Sequence, residues 1–127
     1  MRIIFVSTAL LALFAAACGG SEADSLNVGA ECINNDSCDN DDDFTQTCLT
    51  QFKGGYCGLE GCVNDADCPE DSGCVTHTDN VNYCFRTCID KVECNANRDV
   101  DNESNCSSNV VFTDGTQGRK ACVPPSG

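Results

Sequence analysis

The segment Cys62-Val-Asn-Asp-Ala-Asp-Cys68 predicts a repeat architecture, because its cysteine spacing and its β-branched first residue recur twice more in the chain. Five residues separate its two cysteines, as they do in 32–38 and 88–94. A fixed opening followed by gaps of varying length is typical of a sequence repeat. Twelve of the 13 cysteines therefore form three groups of four, which are Cys32, Cys38, Cys48 and Cys57; Cys62, Cys68, Cys74 and Cys84; and Cys88, Cys94, Cys106 and Cys122.

Each group predicts an acidic opening turn followed by a β-hairpin. A β-branched apolar residue follows every first cysteine, and in two groups Asn and Asp come next, residues that close turns through their own backbone. We expect hairpin loops at Lys53-Gly-Gly55, Asp79-Asn80 and Asp114-Gly115. The predicted fold class is a small disulfide-rich protein with three tandem short β-hairpin modules and little helix, after an N-terminal signal helix.

The predicted hairpin registers constrain the disulfide pairing. With a two-residue loop at Asp79-Asn80, Cys84 lies opposite Val75, so Cys74 and Cys84 point to opposite faces. The same reasoning applies to the other two groups. Among the three connectivities that four cysteines allow, we therefore predict first with third and second with fourth: Cys32–Cys48, Cys38–Cys57, Cys62–Cys74, Cys68–Cys84, Cys88–Cys106 and Cys94–Cys122.

Composition argues for disulfide bracing and against anionic partners. The whole chain has a formal charge of −13, and removing 1–17, which holds Arg2 and no acid, leaves −14. Such a charge repels the phosphate backbone of nucleic acids. With no Trp and few other aromatic residues, one large core is not expected, and disulfides of typically 2–4 kcal/mol each must contribute much of the stability.

The N-terminus has the layout of an export signal. Arg2 is followed by a largely apolar run over 3–14 and by three alanines before Cys18. The apolar run is shorter than the roughly 20 residues that span a bilayer. No transmembrane segment is therefore predicted.

The sequence Ala15-Ala-Ala-Cys18 resembles the lipobox of bacterial lipoprotein precursors. In that family the cysteine thiol receives a diacylglyceryl group, the signal is cut before the cysteine, and the new amino group is usually acylated, as with palmitate. The resemblance implies lipidation at Cys18 and a lipid-anchored protein at the outer membrane or cell surface. Plain secretion and an uncleaved signal helix are the alternatives.

The predicted boundaries follow from the anchor and the cysteine groups. The signal peptide occupies 1–17, and the lipidated N-terminus with a flexible tether occupies 18–31. Cysteine repeats then occupy 32–61, 62–87 and 88–127.

The middle repeat resembles the Dickkopf N-terminal region and whey-acidic-protein modules, and it is similar to cysteine-rich lipoproteins of predatory bacteria. The shared element is an Asp-x-Asp-Cys-Pro turn, here Asp65, Asp67, Cys68 and Pro69. The resemblance implies a disulfide scaffold that presents loops, and convergence is the alternative to common descent.

Patterns for catalysis or metal binding are weak. The chain lacks the Cys-x2-Cys spacing of zinc sites, and the acidic segments 39–43 and 99–103 lack the Gly and Glu of a calcium loop. The one imidazole, His77, lies in a Thr-rich predicted strand. We predict no enzyme, no catalytic residue, no cofactor and no metal site.

The expected function is non-catalytic: a cysteine-rich envelope or surface protein that binds an extracellular or periplasmic protein, or that belongs to the envelope coat. The candidate contacts are the predicted hairpin tips, which are Phe52 and Lys53, His77 to Val81, and Phe112 to Lys120. The alternative is a protease inhibitor that presents a disulfide-braced loop, with Arg119-Lys120 or Lys53-Gly54 as the scissile bond.

Overall fold

The computed structural model describes residues 21–116 and 118–127. Cys18 and the predicted signal peptide lie outside the described residues. The predicted small disulfide-rich β fold is confirmed. Its elements are α1 Glu22–Ser25, β1 Thr47–Cys48, β2 Cys57–Glu60, β3 Ser72–Thr76, β4 Asn82–Cys88, α2 Lys91–Cys94, β5 Asn105–Ser107, β6 Val111–Phe112 and β7 Lys120–Val123, with 3-10 turns at Asn35–Ser37, Asp65–Asp67 and Val100–Asn102.

The strands form one antiparallel sheet with β4 at its centre. The order is β1-β2-β4-β3-β6, and β7 pairs with both β4 and β5. Strand β4 thus contacts strands from all three cysteine groups. The repeats share one sheet and one core. Within the described ranges, no helix has the length and apolar character needed to cross a bilayer.

The strand register places the third and fourth cysteines of every group on one face of the sheet. They lie directly opposite each other, and directly opposed residues share a face. Leu59 of β2 lies opposite Cys84 of β4, and Lys120 of β7 lies opposite Cys88 of β4, so the same face continues across all three strands. We call it the cystine face.

The opposite face carries the hydrophobic core. Four aromatic rings pack there with centroid distances of 5.2 to 6.2 Å, contributed by Phe52, Tyr56, Tyr83 and Phe85. The Tyr56 hydroxyl is buried, donates to the Cys122 carbonyl and accepts from the Arg86 amide, and burial raises the pKa of Tyr56. Four of the six Phe and Tyr residues in the described part of the chain are therefore concentrated in one layer.

The constant five-residue gap is the length of a capped helical turn. In the second group the Asn64 side chain accepts from Ala66 N–H, and the Asp67 carboxylate accepts from Val63 N–H and Asn64 N–H. Asp90 and Glu93 form the same capping box in the third group. Such a box satisfies the backbone N–H groups at the start of a helix. In the first group, Ser37 Oγ donates to Asn34 Oδ1 instead.

A side chain of the opening turn also holds the strand beneath it. Asn35 Oδ1 accepts from Cys48 N–H at 2.9 Å, and at the equivalent position Asp65 Oδ1 accepts from Cys74 N–H at 2.9 Å. The third group has Lys91 there, which has no acceptor atom. Asn95 takes over this role by bonding both Ser104 N–H and Ser104 C=O.

Six disulfides tie the opening turns to the cystine face. They join the same six pairs that the sequence predicts, with Cα–Cα distances of 5.3 to 5.9 Å, within the usual range. In each group, the opening turn brings its two cysteines over the two that face each other on the strands. The three opening turns therefore lie on the same side of the sheet.

The predicted registers, however, are wrong. Cys74 lies opposite Cys84 because Asn80, with φ of 63°, allows a three-residue loop at 78–80. Cys106 lies opposite Cys122, not Val123. The predicted loop at Lys53-Gly-Gly55 also fails, because Cys48 lies opposite Cys57 and the connection between them is longer than three residues. The predicted hairpin at Asp114-Gly115 fails because β6 pairs with β3 rather than with β7, with Val75 opposite Phe112. Bonding of the third and fourth cysteines is prevented by the turns above them, not by opposite side-chain directions.

Residues 21–31, predicted as a flexible tether, pack into the domain. Ala23, Leu26 and Val28 are buried in the core, and Ala23 N–H donates to Glu70 C=O. Gly29 has φ of 93° and lies against the Tyr56 ring, where a Cβ would come within 3.2 Å of the hydroxyl. The three apolar side chains cover the aromatic layer, which explains why the segment does not extend into solvent.

Candidate interaction surface

The first residue of each opening turn is apolar and almost fully exposed. Ile33, Val63 and Ile89 are 87%, 73% and 81% exposed, and we call them the exposed triad. Each precedes the N-cap of its turn, where an apolar side chain can fold back as a hydrophobic staple. Their exposure shows that no staple forms. The fold therefore gives no reason for an apolar residue at this position, yet it occurs in all three repeats.

The surroundings of the exposed triad are acidic. The opening turns contain one cation, Lys91, and five carboxylates: Asp36, Asp65, Asp67, Asp90 and Glu93. Lys91 is itself paired with Glu103 at 2.5 Å. Apolar contacts in a negative setting favour a partner that offers apolar pockets with a positive rim.

The predicted hairpin tips are only partly available for contact. Phe52 is 4% exposed and belongs to the core, because its ring packs edge-on against four others, one of which is His77 at 5.5 Å. Lys53 Nζ donates to the Asp101 carbonyl at 2.7 Å. Residues 78–80 are exposed, whereas Val81 packs against the core. Phe52 is thus removed from the candidate contacts, and so is Phe112 of the third tip, which is also buried in the core.

The third tip is anchored by Arg119. Its guanidinium lies over the Phe112 ring, 3.8 Å from the centroid, and Nη1 donates to Asp65 Oδ2 at 2.6 Å. Gly73 makes room for this stack, because a Cβ there would lie 2.7 Å from Phe112 and 2.9 Å from Arg119. The hydrogen bond from Arg119 lowers the pKa of Asp65. Arg119 joins the second and third repeats.

The two peptide bonds considered for a protease inhibitor are held within the fold. Lys53 N–H donates to Pro125 C=O, and Lys53 C=O accepts from Arg98 Nη2. Gly54, on the other side of that bond, has φ of 76° and accepts from Cys32 N–H. At the second bond, Lys120 belongs to β7. Neither bond lies in an extended loop that projects from the surface.

Within the described residues, the side chains considered for metal binding or catalysis are engaged in disulfides, local hydrogen bonds or packing. Among the described residues, the groups that bring three potential metal ligands within 4.8 Å consist of cysteines alone, and each of these sulfurs is in a disulfide. In the acidic segment 39–43, Asp41 Oδ1 accepts from the amides of Asp43 and Phe44, forming a local turn. His77 packs against aromatic rings.

No protein-family model, curated protein or solved structure matches the chain. The lipobox at Cys18 and the resemblance to Dickkopf and whey-acidic modules stay predictions. The sequence displays the exposed triad as a repeated β-branched position, but its exposure could be learned only from the fold.

Proposed function

We propose that this chain is an exported, lipid-anchored binding protein of the outer membrane or cell surface, without catalytic activity, whose cystine face contacts a basic protein. One observation carries the proposal: the exposed triad repeats an apolar residue at a position where the fold does not bury it. The six disulfides suit an oxidising compartment outside the cytosol.

Lipidation at Cys18 would hold the domain directly against the membrane. The first described residue, Ser21, is the N-cap of α1 and lies three positions after Cys18. Three extended residues reach roughly 10 Å. Because residues 21–31 belong to the domain, no long spacer separates it from the bilayer, and its negative charge keeps it from adhering to anionic headgroups.

The partner is best defined by charge and by apolar pockets. The acidic opening turns favour fast association with a positive surface, and apolar anchors that enter pockets supply the stable contacts. Three equivalent anchors on one face also allow one partner to engage several turns at once. We therefore expect a basic protein rather than a nucleic acid, which the net charge repels.

Site-specific photocrosslinking in the producing cells tests the binding surface. A photoreactive residue at 33, 63 or 89 should capture the same protein, with an isoelectric point above neutrality. The matched control position is Val100, which is 78% exposed but lies outside the opening turns. Equal capture from position 100, an acidic partner or a self-adduct of twice the mass would overturn the proposal.

A matched pair of variants tests whether the exposed triad supplies the binding energy. The variant I33S/V63S/I89S should lose the crosslinked partner, whereas V100S/V111S, which removes two other exposed valines, should keep it. Identical non-reducing peptide maps would show that both variants fold. Retention of the partner by the triad variant would contradict the proposed contacts.

Labelled palmitate tests the anchor separately. The wild type and Gly19→Ser should incorporate the label and enter the detergent phase on phase separation. Cys18→Ser should do neither, because it lacks the thiol that receives the diacylglyceryl group. Incorporation of the label into the Cys18→Ser chain would exclude this residue as the lipidation site.

The protease-inhibitor alternative has no observation in its favour. The backbone around Lys53-Gly54 is hydrogen bonded on both sides of the bond, and the Arg119 side chain is packed over Phe112. An assay with trypsin separates the alternatives, and we expect no inhibition at stoichiometric concentration. Stoichiometric inhibition would instead favour the inhibitor.

A further inference from the structure

A cleft at the junction of α1, β4 and the third repeat concentrates the cations of this acidic chain. It has a volume of about 610 Å³, within the range of about 300–1,000 Å³ for small-molecule sites. The described residues carry six Lys and Arg side chains, and half of them line this cleft, namely Arg86, Arg119 and Lys120. Three of the chain's 20 acids also line it, namely Asp24, Asp71 and Glu93. The cleft is electrically balanced, unlike the rest of the surface.

Most of these charges already have partners. Arg86 is paired with Asp24, and Arg119 is paired with Asp65 outside the cleft lining. The Glu93 carboxylate accepts from the amides of Ile89 and Asp90 in its capping box.

Two opposite charges remain available in the cleft. In the described part of the chain, neither the Lys120 ammonium nor the Asp71 carboxylate takes part in an ion pair or a side-chain hydrogen bond. Both residues are exposed.

The positions of these two residues explain why they do not pair with each other. The Asp71 carbonyl accepts from Thr87 N–H, on the side of β4 where β3 lies. Lys120 is the register partner of Cys88, on the side where β7 lies. Two strand spacings of about 4.8 Å separate their backbones by roughly 10 Å. A ligand that bridges β4 can therefore meet both charges.

We propose that this cleft binds a small zwitterion, with its primary ammonium at Asp71 and its oxyanion at Lys120. Free phosphoethanolamine and the ethanolamine headgroup of a phospholipid share this chemistry. Ile89 adds an apolar wall. The site borders the proposed protein contacts at Ile89, but its two charges lie outside the opening turns, and it does not depend on lipidation of Cys18.

Amide chemical shifts of the full oxidised chain in detergent micelles test the site with O-phosphoethanolamine. We expect saturable shifts at residues 71, 87 and 120, with a Kd of roughly 1–10 mM. Inorganic phosphate and ethanolamine, which each carry one of the two charges, should bind at least about fivefold more weakly. No saturation, or equal binding of phosphate alone, would overturn the proposal.

Charge-removing variants locate the ligand. Asp71→Asn and Lys120→Gln should each weaken O-phosphoethanolamine binding about fivefold, the effect of losing one exposed ion pair. Asn is chosen because Asp71 has φ of 63°, a conformation that Asn also adopts. The controls Asp36→Asn and Lys53→Gln lie outside the cleft and should leave binding unchanged. Unchanged binding in both cleft variants would exclude the site.

Nanodiscs distinguish the two ligand sources. If a membrane headgroup enters the cleft, O-phosphoethanolamine should bind more weakly to the chain in phosphatidylethanolamine nanodiscs than in phosphatidylcholine nanodiscs. Equal binding in both would assign the site to a free zwitterion. Absence of binding in both, as in micelles, would overturn the proposal.

Discussion

At the scale of single residues, Arg98 joins three parts of the chain. Its buried guanidinium donates to four backbone carbonyls at 2.8 to 3.0 Å, those of Gly29, Lys53, Gly55 and Asn102. Desolvation lowers the pKa of Arg98, whereas the nearby Glu31 raises it. The sequence gives no sign of this role, because four carbonyl acceptors leave no pattern in side-chain identity.

We predict that Arg98→Met lowers the free energy of unfolding by about 3 kcal/mol. The substitution leaves several buried carbonyls without a donor, each at a cost of about 1–3 kcal/mol before relaxation. Urea unfolding with the disulfides intact measures the loss. The control Lys91→Met removes an exposed ion pair and should cost less than about 1 kcal/mol. Equal effects would show that Arg98 is not a structural centre.

The Asp65–Arg119 pair predicts a pH dependence. The hydrogen bond from Arg119 lowers the pKa of Asp65 in the folded state, so the pair stabilises the protein above the ordinary pKa of Asp and is lost as pH falls through the folded pKa. Asp65→Asn should cost about 1 kcal/mol at pH 7 and progressively less below pH 4. Asn keeps the Oδ1 acceptor for Cys74 N–H, as Asn35 shows in the first repeat.

Urea unfolding of wild type and Asp65→Asn across this pH range gives the comparison. The difference in free energy of unfolding should shrink as the carboxylate becomes protonated. A difference that stays constant with pH would mean that Asp65 acts through packing rather than through its charge.

At the scale of elements, the opening turn could be predicted and the hairpin registers could not. The five-residue gap and its Asn and Asp residues indicated a turn, and the capping boxes explain that spacing. Loop length depends on whether Asn80 adopts positive φ, which propensity alone does not decide. Asp114-Gly115 is a strong hairpin signal, but β6 pairs with β3 instead, and this pairing buries Phe112 beside Val75.

The third opening turn should depend on its N-cap. Asp90→Ala removes the acceptor for Val92 N–H and should lower the free energy of unfolding by about 1 kcal/mol. Asp90→Ser retains a capping oxygen and serves as the control, with a loss of a few tenths of a kcal/mol. Thermal unfolding followed by circular dichroism compares the two. Equal destabilisation by Ala and Ser would argue against capping as the reason for Asp at this position.

At the scale of the whole molecule, the reliance on disulfides could be predicted from the sequence, but the arrangement of the hydrophobic core could not. Sparse aromatic content predicts reliance on disulfides, but the rings of two separate segments, 52–56 and 83–85, meet on one face. The sequence contains one indication that residues 21–31 cover this layer, namely the apolar residues Ala23, Leu26 and Val28. The neighbouring residues in the sequence, however, are polar and include glycine, a composition that is typical of a flexible tether. The cleft cannot be predicted from the sequence, because it forms only when β3 and β7 flank β4, and that arrangement depends on the topology of the whole sheet.

Packing of the N-terminal segment predicts that Leu26→Ala costs about 2–3 kcal/mol. Leu26 is 4% exposed in the core, and truncating a buried Leu leaves a cavity. Ser25→Ala, at the neighbouring exposed position, is the control and should change the free energy of unfolding by less than about 0.5 kcal/mol. Urea unfolding distinguishes them. An unchanged free energy of unfolding in Leu26→Ala would contradict the packing of this segment and favour a flexible tether.

Twelve cysteines brace the molecule by joining three opening turns to one face of the sheet, and we propose that the thirteenth, Cys18, anchors it. A peptide map of the native protein under non-reducing conditions detects both the disulfide pairs and the modification of Cys18. We expect six linked pairs, first with third and second with fourth in every group, no free thiol, and an acylated N-terminal Cys18. A Cys74–Cys84 link, or an unmodified thiol at Cys18, would contradict this expectation.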